Sequence, residues 1–152
     1  MTEWLDEDEM AAWLPLIRIV QALPQALDRR LREEAGIPHN YYGMLATLSA
    51  RADRTLTMGE LARLTASSPS RLSHAVTGLE QRGWVVRKQC PEDKRRQFVT
   101  LTDAGQELLD RVAPSHVEHV RDLVFSRLSP EQVRQLAQIA ATIVGNDELG
   151  EA

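Results

Sequence analysis

Between Thr57 and Leu101 the sequence is punctuated so closely that few folds can accommodate it. Thr57-Met58-Gly59-Glu60 fits a capping box, with Thr57 as N-cap and the Glu60 carboxylate reaching back from three residues later. The helix it starts is brief, with Leu61, Ala62 and Leu64 as its expected inward positions. After Thr65-Ala66-Ser67, Ser68 is a second N-cap, and Pro69 takes the first helical position, where its missing N–H costs nothing. Leu72, Ala75, Val76 and Leu79 then recur at helical spacing on an inward face, and Gly83 is the expected stop. The opposite face shows Ser70, Arg71, Ser73, His74 and Thr77. Two short helices joined by a tight turn, the second with a small polar and basic outer face, read as a helix-turn-helix.

The period then switches from helical to alternating. Trp84 to Cys90 and Gln97 to Leu101 are β-prone runs separated by Pro91-Glu92-Asp93-Lys94-Arg95-Arg96, which predicts a hairpin with a basic tip. Long helices are expected on either side. From Met10 to Glu34, Trp13, Leu16, Ile17, Val20, Leu23, Leu27 and Leu31 form one helical face ending at Gly36, with Pro15 and Pro24 predicting a late start or a kink. Ile37-Pro38 opens a second helix, proline at its first position, running to about Ala52 with Met44, Leu45 and Leu48 inward. Thr102-Asp103 caps a long helix carrying Leu108, Leu109, Val112, Val117, Val120, Leu123, Val124 and Leu128, bent at Pro114. Ser129-Pro130-Glu131-Gln132 caps the last, with Val133, Leu136, Ile139, Ala140, Ile143 and Val144 up to Gly145.

The expected fold is therefore mainly α with a small β-hairpin wing, an α+β winged helix-turn-helix. Residues 37–101 would form the DNA-binding domain, and 1–36 with 102–152 a helical dimerisation region whose wide apolar stripes seek a second copy of the chain. Composition narrows the function classes. The acidic N-terminus is unlike a signal peptide, no run reaches the ~18 uninterrupted apolar residues of a membrane span, and the single cysteine forms no internal disulfide. These features predict a cytoplasmic protein with no membrane partner. The net charge of −4 is unevenly spread. From Arg54 to Thr100 nine basic residues stand against four acidic ones, a surplus of five, so the remainder carries −9. A basic middle between acidic ends is the footprint of one surface that meets a polyanion.

The chemistry follows from groove dimensions. A major groove about 12 Å wide admits one helix, and short side chains let its backbone approach while Arg or Ser reaches base edges or phosphates. The candidate contacts are Ser67, Ser68, Ser70, Arg71, Ser73, His74 and Thr77 on the helix, and Lys88, Asp93, Lys94, Arg95 and Arg96 on the hairpin. Asp93, two residues before Arg95, can hold its guanidinium by a charge-assisted hydrogen bond, and an arginine so aimed suits a narrow A·T-rich minor groove. No Gly-rich phosphate loop, metal-binding His-Glu helix or nucleophile elbow is present, so no enzyme, cofactor or metal is expected. The rival reading is a winged helix used for protein docking or dimerisation. Three adjacent wing cations are the feature that separates the two.

Met58-Gly59-Glu60-Leu61-Ala62, Ser68 to Ser73, Leu79-Glu80-Gln81-Arg82-Gly83-Trp84-Val85, Asp93 to Arg96 and Leu101-Thr102-Asp103-Ala104-Gly105 together resemble the MarR family of bacterial transcription regulators. The resemblance covers essentially the whole chain. It implies a homodimer built from terminal helices, a pseudo-palindromic double-stranded operator, Arg95 as wing arginine with Asp93 as its anchor, and release by a small molecule lodged between lobe and dimer helices. Pro15, Pro24 and Pro114 depart from the family's helices. Trp13, Tyr41 and Tyr42 are the candidate lining for a phenolic or amphipathic ligand, with core or dimer-seam packing as the alternative. Peroxide-sensing relatives carry a cysteine near the first helix, whereas Cys90 lies beside the wing. His39, His116 and His119 lack identified acidic or cysteine partners and read as ordinary helix positions rather than metal ligands.

Overall fold

Asp6 closes a capping box with Glu9 and starts α1 (Glu7–Ala35) in the structure, a computed structural model that describes residues 4–145. The Glu9 N–H donates to the Asp6 carboxylate at 2.8 Å, and the Asp6 N–H to Glu9 at 2.9 Å. The acidic N-terminus is therefore a helix start, with Glu7, Asp8 and Glu9 against the positive end of the dipole. The late start that the prolines suggested does not occur, and the helix runs on through Pro15 and Pro24. Pro15 and Pro24 release the carbonyls of Ala11 and Val20, two exposed residues whose carbonyls water can reach. Gly36, at φ 67°, ends the helix and donates its N–H to Arg32 O at 3.0 Å.

The second helix, α2 (His39–Ser49), is shorter than its pattern suggested. Pro38 stands before it as N-cap and offers no side-chain bond; Asp28 of α1 supplies the cap instead, accepting the His39 N–H at 2.8 Å. After Ser49 the chain turns through Arg54, at φ 53°, into β1 (Thr55–Thr57), a strand the sequence did not disclose. The hairpin of β2 (Val85–Gln89) and β3 (Gln97–Leu101) thus becomes a three-stranded antiparallel sheet in the order β1-β3-β2, with Leu56 opposite Val99.

The capping signals of α3 (Met58–Leu64) and α4 (Pro69–Gln81) are realised at Thr57 and Ser68. Leu61 is buried, but Leu64, the last residue of α3, is 47% exposed on a turn that faces out. Leu72, Ala75, Val76 and Leu79 join Leu31, Ile37, Met44, Leu45, Leu48, Val85 and Val99 in one apolar core with no buried polar residue among those described. α5 (Asp103–Leu123), capped by Thr102, adds Leu108, Leu109 and Val112 and continues through Pro114. A short 3-10 turn (Phe125–Arg127) leads to α6 (Pro130–Val144), which buries none of its residues.

The apolar faces of the terminal helices are left open. Trp13, Leu16, Val20, Leu136, Ile139 and Ile143 are all at least 40% exposed. An 18-residue window of α1 reaches a mean hydropathy of 1.2 with only 6% buried, so by length and composition alone this helix could cross a bilayer. That amends the expectation from sequence: Arg18 and Gln21 break the apolar run without lowering its average below that mark.

Candidate nucleic-acid interface

The outer face of α4 is assembled from below by the core. Burial of Leu72, Ala75, Val76 and Leu79 leaves Ser70, Arg71, Ser73 and His74 fully outward. The Ser68 hydroxyl accepts the Arg71 N–H at 3.4 Å, so it is spent on capping. Ser67 is half-buried, its hydroxyl accepting from Thr65 Oγ1 at 3.1 Å and donating to Thr65 O at 3.3 Å. Thr77 is half-buried too, donating to Ser73 O at 2.9 Å and accepting from Arg87 Nη2 at 3.1 Å. Of the seven helix candidates, Ser70, Arg71, Ser73 and His74 remain open to a ligand, while Ser67, Ser68 and Thr77 hold the helix and its turn.

At the hairpin, Cys90 donates its N–H to Arg96 O at 2.8 Å and Arg96 donates to Asp93 O at 2.9 Å, closing a tight turn. One oxygen of Asp93 accepts both the backbone N–H of Arg95, at 3.0 Å, and its Nε, at 3.3 Å. The Arg95 side chain is 92% exposed, so this clasp leaves the Nη groups pointing into solvent. Lys88, Lys94 and Arg96 are exposed beside it. An anchored arginine flanked by exposed cations suits a phosphate-lined groove.

Sequence reasoning missed the junction between helix and wing. Arg87 of β2 donates its N–H to Glu80 Oε1 at 3.0 Å, and its Nε and Nη2 to Oε2 at 3.0 and 2.8 Å. The Arg87 guanidinium holds the Glu80 carboxyl below its ordinary value, against the smaller opposing effect of burial. The only sequence signal was one acid at the end of a helix and one base seven residues on, beyond a glycine turn.

The effector candidates are not brought together. Tyr41 lies against α4, where Gly78 makes room: a Cβ there would sit 2.0 Å from the Tyr41 hydroxyl. Arg82 lies over both Tyr41 and Trp84, 5.3 and 5.5 Å from the ring centres. The Tyr42 ring lies 4.1 Å from that of His116 of α5, tilted by 42°, and the His116 ring is 5.7 Å from that of His39. Burial holds both histidines below the ordinary imidazole value and raises the Tyr42 hydroxyl. Trp13 stands apart, 46% exposed on α1. An open depression of about 660 Å³ lies instead between α1 and the start of α2, against Pro24, Asp28, Arg32 and His39. No group of three or more metal-ligating side chains occurs among the described residues.

A three-stranded sheet behind two short helices, with an open polar helix face and an anchored wing arginine, defines a winged helix-turn-helix protein. The model of the MarR family matches residues 35–96. The HTH-type transcriptional regulator YkoM of Bacillus subtilis is 30% identical over 135 residues, covering 86% of this chain and 85% of YkoM. Among solved structures, Sco3205 of Streptomyces coelicolor, a MarR family transcriptional regulator in complex with DNA, is 45% identical at a TM-score of 0.89, covering 97% of this chain and 94% of that one. AbsC of the same organism, also a MarR family regulator, is 34% identical at a TM-score of 0.82, covering 95% and 100%. The chain belongs to the MarR family of DNA-binding transcriptional regulators.

Proposed function

We propose that the chain acts as a homodimer on a pseudo-palindromic operator, each protomer laying α4 in a major groove and Arg95 in the adjacent minor groove. The observation that carries this reading is the pairing of an open Ser70–Arg71–Ser73–His74 face with a wing arginine held by Asp93. Residues 37–101 would bind DNA and the terminal helices would pair. Dimerisation accounts for the apolar faces left exposed along α1 and α6, and so gives α1 a partner other than a membrane. Seated on a promoter, such a dimer excludes polymerase and represses, and its place of action is the cytoplasm, where bacterial DNA lies. A small phenolic or amphipathic ligand filling the depression between α1 and α2 would bear on the Asp28–His39 cap and so on the lobe's orientation.

The test is a titration of the full chain against the DNA upstream of its own gene across a salt series. Each phosphate contact contributes a slope of about −0.9 in log K against log salt, so a wing and helix with several contacts give a steep negative line. Sedimentation should report twice the 17.1 kDa chain mass. A 17 kDa species alone removes the dimer. Equal failure to bind specific and random DNA hands the fold to the protein-docking alternative.

A further inference from the structure

The junction of Arg87 with α4 is built beyond what holding a strand in place requires. β2 is an edge strand, paired only with β3, so the Arg87 N–H has no partner in the sheet and would face water. Glu80 takes it at 3.0 Å, and its other oxygen takes Nε and Nη2 of the same residue. The remaining reach of Nη2 goes to Thr77, which in turn donates to the Ser73 carbonyl. Ser73, Thr77 and Glu80 are spaced by four and three, so they lie in one line along α4. A chain of bonds thus runs from the backbone of the recognition helix, through Thr77 and Glu80, into the strand that carries the wing.

We propose that Arg87 and Glu80 are positioning residues for DNA binding, fixing the wing's angle against α4 so that both elements reach one duplex together. This rests on the reading of α4 and the β2–β3 turn as the DNA contacts. A wing held rigidly makes its contact without a further loss of freedom, whereas a swinging wing must be ordered each time it binds. A lysine at 87 keeps the charge but has no planar fork, so it cannot bind both Glu80 and Thr77 in register. The pair's side chains are 24% and 34% exposed, which limits what they add to stability by charge attraction alone. Their value lies in geometry.

The test is a double-mutant cycle on the full chain, read as affinity for the upstream DNA fragment that the parent protein binds. Arg95→Ala should weaken the parent by about tenfold, equivalent to about 1.4 kcal/mol. In Arg87→Lys and in Glu80→Gln the same change should weaken binding by less than about threefold, because the loosened wing no longer delivers its full contact. Glu80→Gln alone should bind more weakly than the parent although it adds net positive charge. Thermal unfolding confirms that each variant is folded, and either background alone suffices if the other is not. An undiminished tenfold loss in the backgrounds makes the pair merely structural and overturns the proposal. No loss from Arg95→Ala in the parent overturns the proposal together with the wing reading, so the two failures are distinguishable.

Discussion

Gly105→Ala should destabilise the protein although alanine is the better helix former. In an open helix interior this exchange stabilises by about 0.5–1 kcal/mol. At Gly105, in the first turn of α5, a Cβ would lie 2.3 Å from the Trp84 carbonyl oxygen and 2.6 Å from Leu101 Cδ1. The carbonyl cannot retreat freely, because it accepts the Thr102 N–H at 3.0 Å, and Thr102 in turn donates its hydroxyl to Gly83 O at 2.7 Å. Overpacking against fixed atoms costs about 1–3 kcal/mol, so less the helix gain the net loss centres on about 1 kcal/mol and reaches about 2.5 kcal/mol. For a chain of this length a loss of about 1 kcal/mol lowers Tm by roughly 2–4 °C. The internal control is Gly43→Ala in α2, where nothing lies within 4 Å of the added methyl; its Tm should rise. Both are measured by thermal unfolding at one protein concentration, since any assembly of the chain would make Tm concentration-dependent. If Gly105→Ala raises Tm as Gly43→Ala does, the close approach of α5 to the wing root is refuted.

Acid should loosen the protein well above the carboxylate range. His39 and His116 have folded pKa values lowered by burial, so the unfolded chain binds more protons below its own imidazole value, and stability falls as pH drops. Tm should therefore decline from about pH 7.5 to about pH 5.5, and His116→Gln should flatten that slope. Asp28 and Glu34 face this cluster from α1; their lowered values add stability that is lost only at lower pH, outside that window. Ala66, at φ 46° in the turn between α3 and α4, adopts a left-handed backbone that glycine tolerates better. Ala66→Gly should raise stability by about 0.5–1 kcal/mol in urea unfolding, and a fall would show that the turn is unstrained. Asp93→Ala should weaken operator binding despite its added positive charge, since it frees the Arg95 guanidinium; tighter binding would leave simple charge attraction as the explanation.

Elements with their own start and stop chemistry could be read from the chain. Thr57 with Glu60, Ser68 with Pro69, and Ser129 with Gln132 marked three helix starts that the structure reproduces. What escaped was decided by distant neighbours. β1 is three residues long and ends on the residue that caps α3, so no alternation can show it. The start of α2 depends on Asp28, eleven residues earlier on another helix. Pro15 and Pro24 lie inside α1, where water can reach the carbonyls they free, so the lost bonds are made good to solvent although the ring's crowding of the preceding turn remains. At the candidate interface, residue type singled out Arg71 and Arg95 but could not tell an open hydroxyl from an occupied one. Thr77 and Ser67 look like Ser70 and Ser73 until their bonds are traced.

The most direct measurement compares Arg71→Ala with the parent on operator DNA and on random duplex at one salt concentration. Arg71 is exposed on the first turn of α4, its backbone N–H bound to Ser68 and its side chain free to reach a base edge. A bidentate base contact is worth about 1–3 kcal/mol, so operator affinity should fall by that much per half-site while random DNA is nearly unaffected. Equal losses on both would move Arg71 to a phosphate. Unchanged affinity on both would take the outer face of α4 out of the DNA interface and contradict the reading of this chain as a helix-and-wing DNA binder.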